Sequence, residues 1–177
     1  MRHTRKITVS MLDFLRTGQF GPVHLGISRD QLRDYLGEPE AWSLGSSRHP
    51  TRTPARAAVW KYGDVEFHFN DDTLVLIFAD HVRILRGGEA IDLNSWVLSG
   101  KATVKQVLSD LEAAQISCQR IDWKFDSTTE RFRFGAGVEL LFWDEVQHSA
   151  NNEELPPLAP ADMTFHGFSY RMEGTTR

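Results

Sequence analysis

The strongest constraint on the fold of this chain is that it repeats. The run Trp60-Lys61-Tyr62, then Glu66-Phe67-His68-Phe69, then Leu74-Val75-Leu76-Ile77-Phe78-Ala79-Asp80 returns later as a second copy. That copy is Trp123-Lys124-Phe125, Arg131-Phe132-Arg133-Phe134 and Val138-Glu139-Leu140-Leu141-Phe142-Trp143-Asp144. A segment with helical spacing precedes each, with Leu32 and Leu36 in the first and Val107 and Leu111 in the second. The pattern predicts an α+β fold, a tandem repeat of a helix followed by a three-stranded antiparallel meander, forming one broad sheet or two adjacent sheets. Such a layout favours a wide binding surface over a single catalytic cleft.

Local signals place the boundaries. Residues 1–22 form an N-terminal segment, residues 23–86 the first unit, 87–97 a connector, 98–146 the second unit and 147–177 a tail. Ser28 is a good N-cap, because its hydroxyl can accept from the unpaired amides of the first turn. Gly37 and Pro39 end that helix. Gly63-Asp64 and Asn70-Asp71-Asp72 are short turn-forming links, so the strands they join should form a meander. The second helix is expected at about residues 103–114, followed by strands at 117–125, 130–134 and 137–144. In the tail, residues 163–172 could return as a terminal strand. Residues 43–57 lose all periodicity and carry Arg48, Arg52 and Arg56 with Gly45, Pro50 and Pro54, which reads as an irregular basic loop. The copies are offset by 75 residues at the helix but 63 at the Trp-Lys run, so this loop accounts for about twelve extra residues.

Strand side chains alternate between two faces, so parity sorts the repeat. Trp60, Tyr62, Phe67, Phe69, Leu74, Leu76 and Phe78 fall on one face, as do Trp123, Phe125, Phe132, Phe134, Val138, Leu140 and Phe142. These sets are apolar and should pack against the helices. The complementary face holds Lys61, Glu66, His68, Val75 and Ile77, then Lys124, Arg131, Arg133, Glu139, Leu141 and Trp143. A helix layer covers one face, so the mixed face should be open. Apolar anchors rimmed by long charged side chains are the composition of a binding surface, and Trp and Arg are enriched at its hot spots.

Signatures of chemistry are missing. The histidines, at positions 3, 24, 49, 68, 81, 148 and 166, form no HxH, HExxH or His/Cys spacing. Asp71-Asp72 resembles half of a metal-binding run, but in a tight turn it more simply caps the backbone. Ser46-Ser47 lacks a nucleophile elbow, Cys118 has no neighbouring base in sequence, and no helix follows Gly135-Ala136-Gly137 to make it a phosphate loop. No catalytic residue, metal or cofactor is therefore expected. The competing expectation is a small ligand-binding domain or enzyme using His68 and His81, should the fold bring them together.

Charge and cysteine usage narrow the setting. The net charge is −4, which argues against generic nucleic-acid binding. It is unevenly spread, with nine Lys and Arg against five Asp and Glu in residues 1–56, and eleven against nineteen beyond. No run is long and apolar enough to span a bilayer, and no apolar stretch follows the basic start to make a secretory signal. A lone Cys118 cannot form an internal disulfide, which fits a reducing, cytoplasmic setting.

The segment Gly26-Ile27-Ser28-Arg29-Asp30-Gln31-Leu32-Arg33-Asp34-Tyr35-Leu36-Gly37-Glu38-Pro39 resembles the opening of a known bacterial unit. That unit occurs in β-lactamase-inhibitor-like proteins, two in tandem, and in small outer-membrane assembly lipoproteins. The Trp-Lys-Tyr-Gly-Asp…Glu-Phe-x-Phe core, from Trp60 to Phe69, is similar to that of uncharacterised bacterial proteins of immunity-like character. The resemblance implies helical elements followed by a meander, and a module that binds protein. The expectation is thus a non-enzymatic inhibitory module that neutralises a bacterial toxin or enzyme. It would use an open sheet face of Lys61, His68, Val75, Ile77, Lys124, Arg131, Arg133, Glu139, Leu141 and Trp143. The loop arginines Arg48, Arg52 and Arg56 would join this face, and together they would meet an acidic patch on the partner. A subunit that homodimerises through the sheet is the remaining alternative.

Overall fold

The computed structural model describes residues 6–43, 53–80, 82–122, 128–144 and 158–174. In chain order the elements are β1 (Ile7–Ser10), α1 (Met11–Thr17), α2 (Arg29–Leu36), β2 (Ala41–Ser43), β3 (Val59–Tyr62), β4 (Val65–Asn70), β5 (Thr73–Ala79) and β6 (Ile91–Asn94). After these come α3 (Val104–Ala113), β7 (Cys118–Ile121), β8 (Thr129–Phe134), β9 (Val138–Trp143) and β10 (Thr164–Arg171). The fold is α+β. Eight strands form one antiparallel sheet in the order β2-β3-β4-β5-β10-β9-β8-β7, and β1 and β6 form a small parallel pair.

The helices start and stop where their caps dictate. Ser28 accepts from the Gln31 amide while the Gln31 side chain accepts from the Ser28 amide, a capping box that satisfies two end groups reciprocally. Thr103 and Gln106 do the same for α3. Ser10 caps α1, and Gly18, at φ 72°, closes it in the left-handed conformation open to glycine. No helix among the described residues is long and apolar enough to cross a membrane.

One face of the sheet carries the core. Residues directly opposite each other on antiparallel strands share a face. One row runs Trp42, Trp60, Phe67, Ile77, Tyr170 and Val138 across β2, β3, β4, β5, β10 and β9. A second joins Ala79, Phe168, Leu140 and Phe132. The Phe14 ring of α1 meets Phe168 and Tyr170 edge-on, while Val107 and Leu111 of α3 enter the same buried cluster. From α2, Arg33 lies over the Trp60 ring and Arg29 over Phe69. Arg29 is itself buried: its guanidinium donates to the Asp71 and Ala57 carbonyls and pairs with Asp72. That is the task of the Asp71-Asp72 turn, and among the described residues no His, Cys, Asp and Glu group could hold a metal.

Three expectations change. The terminal strand β10 is not peripheral; it lies between β5 and β9 and joins both meanders into one sheet. The connector contributes β6, which pairs in parallel with β1 at Ile7↔Ile91. The loop begins as edge strand β2 and ends in a 3-10 turn, Pro54–Arg56, whose Pro54 carbonyl accepts from the Trp60 indole at 2.8 Å. Arg48 and Arg52 lie outside the described residues, as do Lys124 and His81.

The parity of β5 also changes. Pairing shifts between His68↔Leu76 and Phe69↔Leu74, leaving Val75 as the extra residue of a β-bulge. Every side chain beyond the bulge changes face relative to a regular strand. Ile77, expected on the open face, is therefore fully buried opposite Phe67. Leu76 and Phe78, expected on the core face, stand opposite His68 and Glu66 on the other side, where Leu76 is still buried and Phe78 half-buried. In β8 and β9 pairing is regular, and Phe132, Phe134, Val138, Leu140 and Phe142 are buried as parity predicts.

Candidate functional site

The face opposite the core is crossed by one continuous row: Ala41, Lys61, Glu66, Phe78, Ser169, Glu139, Arg133 and Gln119, one residue from each of the eight strands. Beside it run Val59, His68, Leu76 and Arg171 on one flank, and Leu141, Arg131 and Ile121 on the other. Trp143 follows, paired with Thr129 and Thr164. At strand spacings of about 4.8 Å, eight strands make a surface on the order of 34 Å wide.

Two charge clusters sit on this row, one in each half. Lys61 stands directly opposite Glu66, and His68 follows Glu66 by two, so both side chains reach one carboxylate. Lys61 Nζ lies 3.3 Å from Glu66 Oε1 and His68 Nε2 lies 3.0 Å from Oε2. The His68 hydrogen bond, assisted by Lys61, holds the Glu66 carboxyl below its ordinary range although partial burial pushes the other way. In the other half Glu139 is opposite Arg133 and diagonal to Arg131. Arg133 donates from Nε and Nη2 at 2.9 and 2.5 Å, and Arg131 pairs with the second carboxylate oxygen. The two guanidiniums cover Glu139 so fully that it counts as buried on an outward-facing position. Their own exposures differ: 57 % of the Arg133 side chain meets solvent against 18 % for Arg131. Arg133 can therefore turn toward a partner, whereas Arg131 is committed to the sheet.

Lys61, His68, Arg131, Arg133, Glu139, Leu141 and Trp143 thus share one face, as expected, and Ile77 does not. Val75 is half-buried, and its carbonyl accepts from the Met172 amide. Arg56 is exposed, but its turn is fastened to Trp60 and Arg29, on the core side of β3. The structure therefore does not bring Arg56 together with the outward cations. Sequence reasoning missed Leu76 and Phe78, displaced by the bulge, and Ser169 and Arg171, which belong to the face only because β10 is central. The Phe78 ring meets His68 edge-on at 6.0 Å, so an aromatic does lie between the clusters.

Nothing among the described residues assembles nucleophile and base. His68 is engaged by Glu66. Cys118 lies opposite Phe134 on the core face, and burial pushes its thiol up, away from the reactive thiolate. Buried Glu130 is held bidentately by Arg120 at 2.6 and 2.5 Å, closing the core at the β7 edge. Buried Asp144 accepts from the Leu158 amide at 2.8 Å, fixing where the chain re-enters the sheet. These carboxylates hold structure. No family model, no curated protein and no solved structure matches the chain.

Proposed function

We propose that this chain is a non-enzymatic binding module, an immunity-like inhibitor that neutralises a bacterial toxin or enzyme by covering an acidic surface of it with the outward sheet face. The observation that carries this reading is the eight-residue row, with its flanking residues and its two carboxylate-centred clusters. On that face Lys61, Arg131, Arg133 and Arg171 outnumber Glu66 and Glu139, in a chain whose net charge is −4. A cationic patch on an anionic molecule steers an acidic partner to one side. Phe78 and Leu141, both half-buried, supply apolar contact between the charges. A surface of this breadth suits the roughly 800 Å² per partner of a standard protein interface better than a small ligand.

The two halves are read as copies of one unit. Both open with a capping-box helix and contain a three-stranded antiparallel meander, β3-β4-β5 and β7-β8-β9; the first differs from the second by the added edge strand β2 and the bulge at Val75. A cytoplasmic setting is proposed from the single, half-buried cysteine.

The test is association kinetics with the protein encoded beside this gene. Lys61→Glu combined with Arg133→Glu should slow association at least about tenfold at low salt, with the difference shrinking as salt rises. Wild-type kinetics for the double variant would end the reading. A concentration-dependent dimer abolished by the same substitutions would favour self-association through the sheet instead.

A further inference from the structure

The large sheet ends at β7, Cys118–Ile121, which pairs with β8 alone. In an antiparallel edge strand alternate residues point their N–H and C=O groups away from the neighbour. Among the described residues nothing takes those groups on the far side of β7. Such a row is a template for another strand. β7 holds no proline, no lysine and no bulge that would blunt it.

Two guanidiniums flank this edge, one on each face of the sheet. On the outward face Gln119 of β7 stands opposite Arg133 of β8. On the core face Arg120 of β7 stands opposite Phe132 and reaches diagonally to Glu130. Both arginines are tethered in the same way. Each donates from Nε and Nη2 to a carboxylate, Arg133 to Glu139 and Arg120 to Glu130. The two carboxylates are buried, but 57 % of the Arg133 side chain and 59 % of the Arg120 side chain meet solvent. The groups that this edge shows to water are therefore cationic. In neither arginine does Nη1 make a hydrogen bond among the described residues, so each fork keeps donors to spare.

A guanidinium already fixed on one side loses little side-chain freedom when its other side finds an acceptor. Arg133 need not leave Glu139 to do so, and Glu139 keeps Arg131 as a second partner. Successive side chains of an added strand alternate between the faces. A strand laid along β7 would direct one set over Gln119 toward Arg133 and the other set beside Arg120. The exposed Asp122, just past β7, would repel acids there and confine them to the Cys118–Ile121 span.

We infer that β7 is a docking edge for an extended acidic segment of another protein, which adds to the sheet with carboxylates on both its faces, one meeting Arg133 and the next Arg120. In strand addition the main-chain hydrogen bonds supply affinity and the alternating side chains supply specificity. Adjacent acidic residues are the specifying feature here. The edge is separate from the outward face proposed above, although Arg133 serves both.

The test is a titration of the isotope-labelled full chain with the capped peptide Val-Glu-Glu-Val-Glu-Glu-Val and, separately, with its glutamine counterpart. The readouts are the backbone amide resonances of β7 and their hydrogen exchange. The acidic peptide should shift them saturably, with a Kd of about 1 mM or tighter, and slow the exchange of the amides that face away from β8. The glutamine peptide should bind at least about tenfold more weakly. Arg133→Gln, a change at an exposed side chain, should weaken the acidic peptide about threefold, the scale of a solvent-exposed ion pair. No shift in β7, shifts without slowed exchange, equal binding of the two peptides, or wild-type affinity in Arg133→Gln would each overturn the inference. So would β7 amides that become protected as the chain alone is concentrated, since a second copy would then occupy the edge. The peptide needs no natural partner, so failure here leaves the outward-face proposal standing. Wild-type partner kinetics in the Lys61 and Arg133 double variant would end that proposal and leave the edge site standing.

Discussion

At the scale of single residues, the outward face shows why counting charges in a sequence overstates what a surface offers. Glu139 is enclosed by two arginines, and Glu66 binds the lysine and histidine beside it. In β3, β4, β8 and β9 the described side chains that parity placed together are together, but they have largely answered one another. Parity could order them by face; it could not say that Arg131 is covered while Arg133 is exposed, because that depends on which arginine lies under the other. The Glu66 cluster makes a prediction about pH. Its carboxyl titrates below the ordinary value, so the stability it contributes is complete above the unfolded glutamate pKa near ~4.3 and is lost as pH falls through the lower native value. The hydrogen bond from His68 is the largest cause, so His68→Ala should move the Glu66 titration upward toward the ordinary value. Carboxyl-carbon resonances followed through an acid titration would show it. An unmoved titration would mean that Lys61 alone holds the carboxylate.

At the scale of elements, alternation and caps were legible and irregularities were not. Ser28 and Gly37 bound their helix as read, and in β8 and β9 each side chain lies on the face its position assigns. The error in β5 has one cause. Leu74-Val75-Leu76-Ile77-Phe78 is apolar at every position, so no polar residue marks where alternation slips, and a single extra residue exchanges the two faces. β10 lies within the 163–172 segment read as a terminal strand; its second bulge, between Phe165 and Gly167, and its place between the meanders were not legible. This yields a test with opposite outcomes for the two registers. Ile77→Ala removes a fully buried side chain and should cost about 3 kcal/mol in urea unfolding, whereas Phe78→Ala, at a half-buried outward position, should cost about 1 kcal/mol. A larger cost at Phe78 than at Ile77 would mean that β5 runs without the bulge.

At the scale of the whole molecule, the sequence reading left open whether two meanders form one sheet or two. The answer came from residues outside both units. No pattern within residues 23–146 calls for a strand between β5 and β9; each meander ends in an apolar strand whose edge needs covering, and the tail covers both at once. Phe168 is the residue at that seam. It pairs with Ala79 on one side and Leu140 on the other, is fully buried, and meets Phe14 of α1 through its ring. The two halves should therefore unfold as one cooperative unit rather than as separable copies. Phe168→Ala should cost about 4 kcal/mol, the order of a large aromatic removed from a core. Because the lost side chain serves both halves, native-state hydrogen exchange should fall in β4 and β8 by the same free energy, although neither strand touches β10 in the sheet order. Loss of protection confined to one of these strands would show that the halves hold their folds independently, with β10 as an attachment rather than the seam.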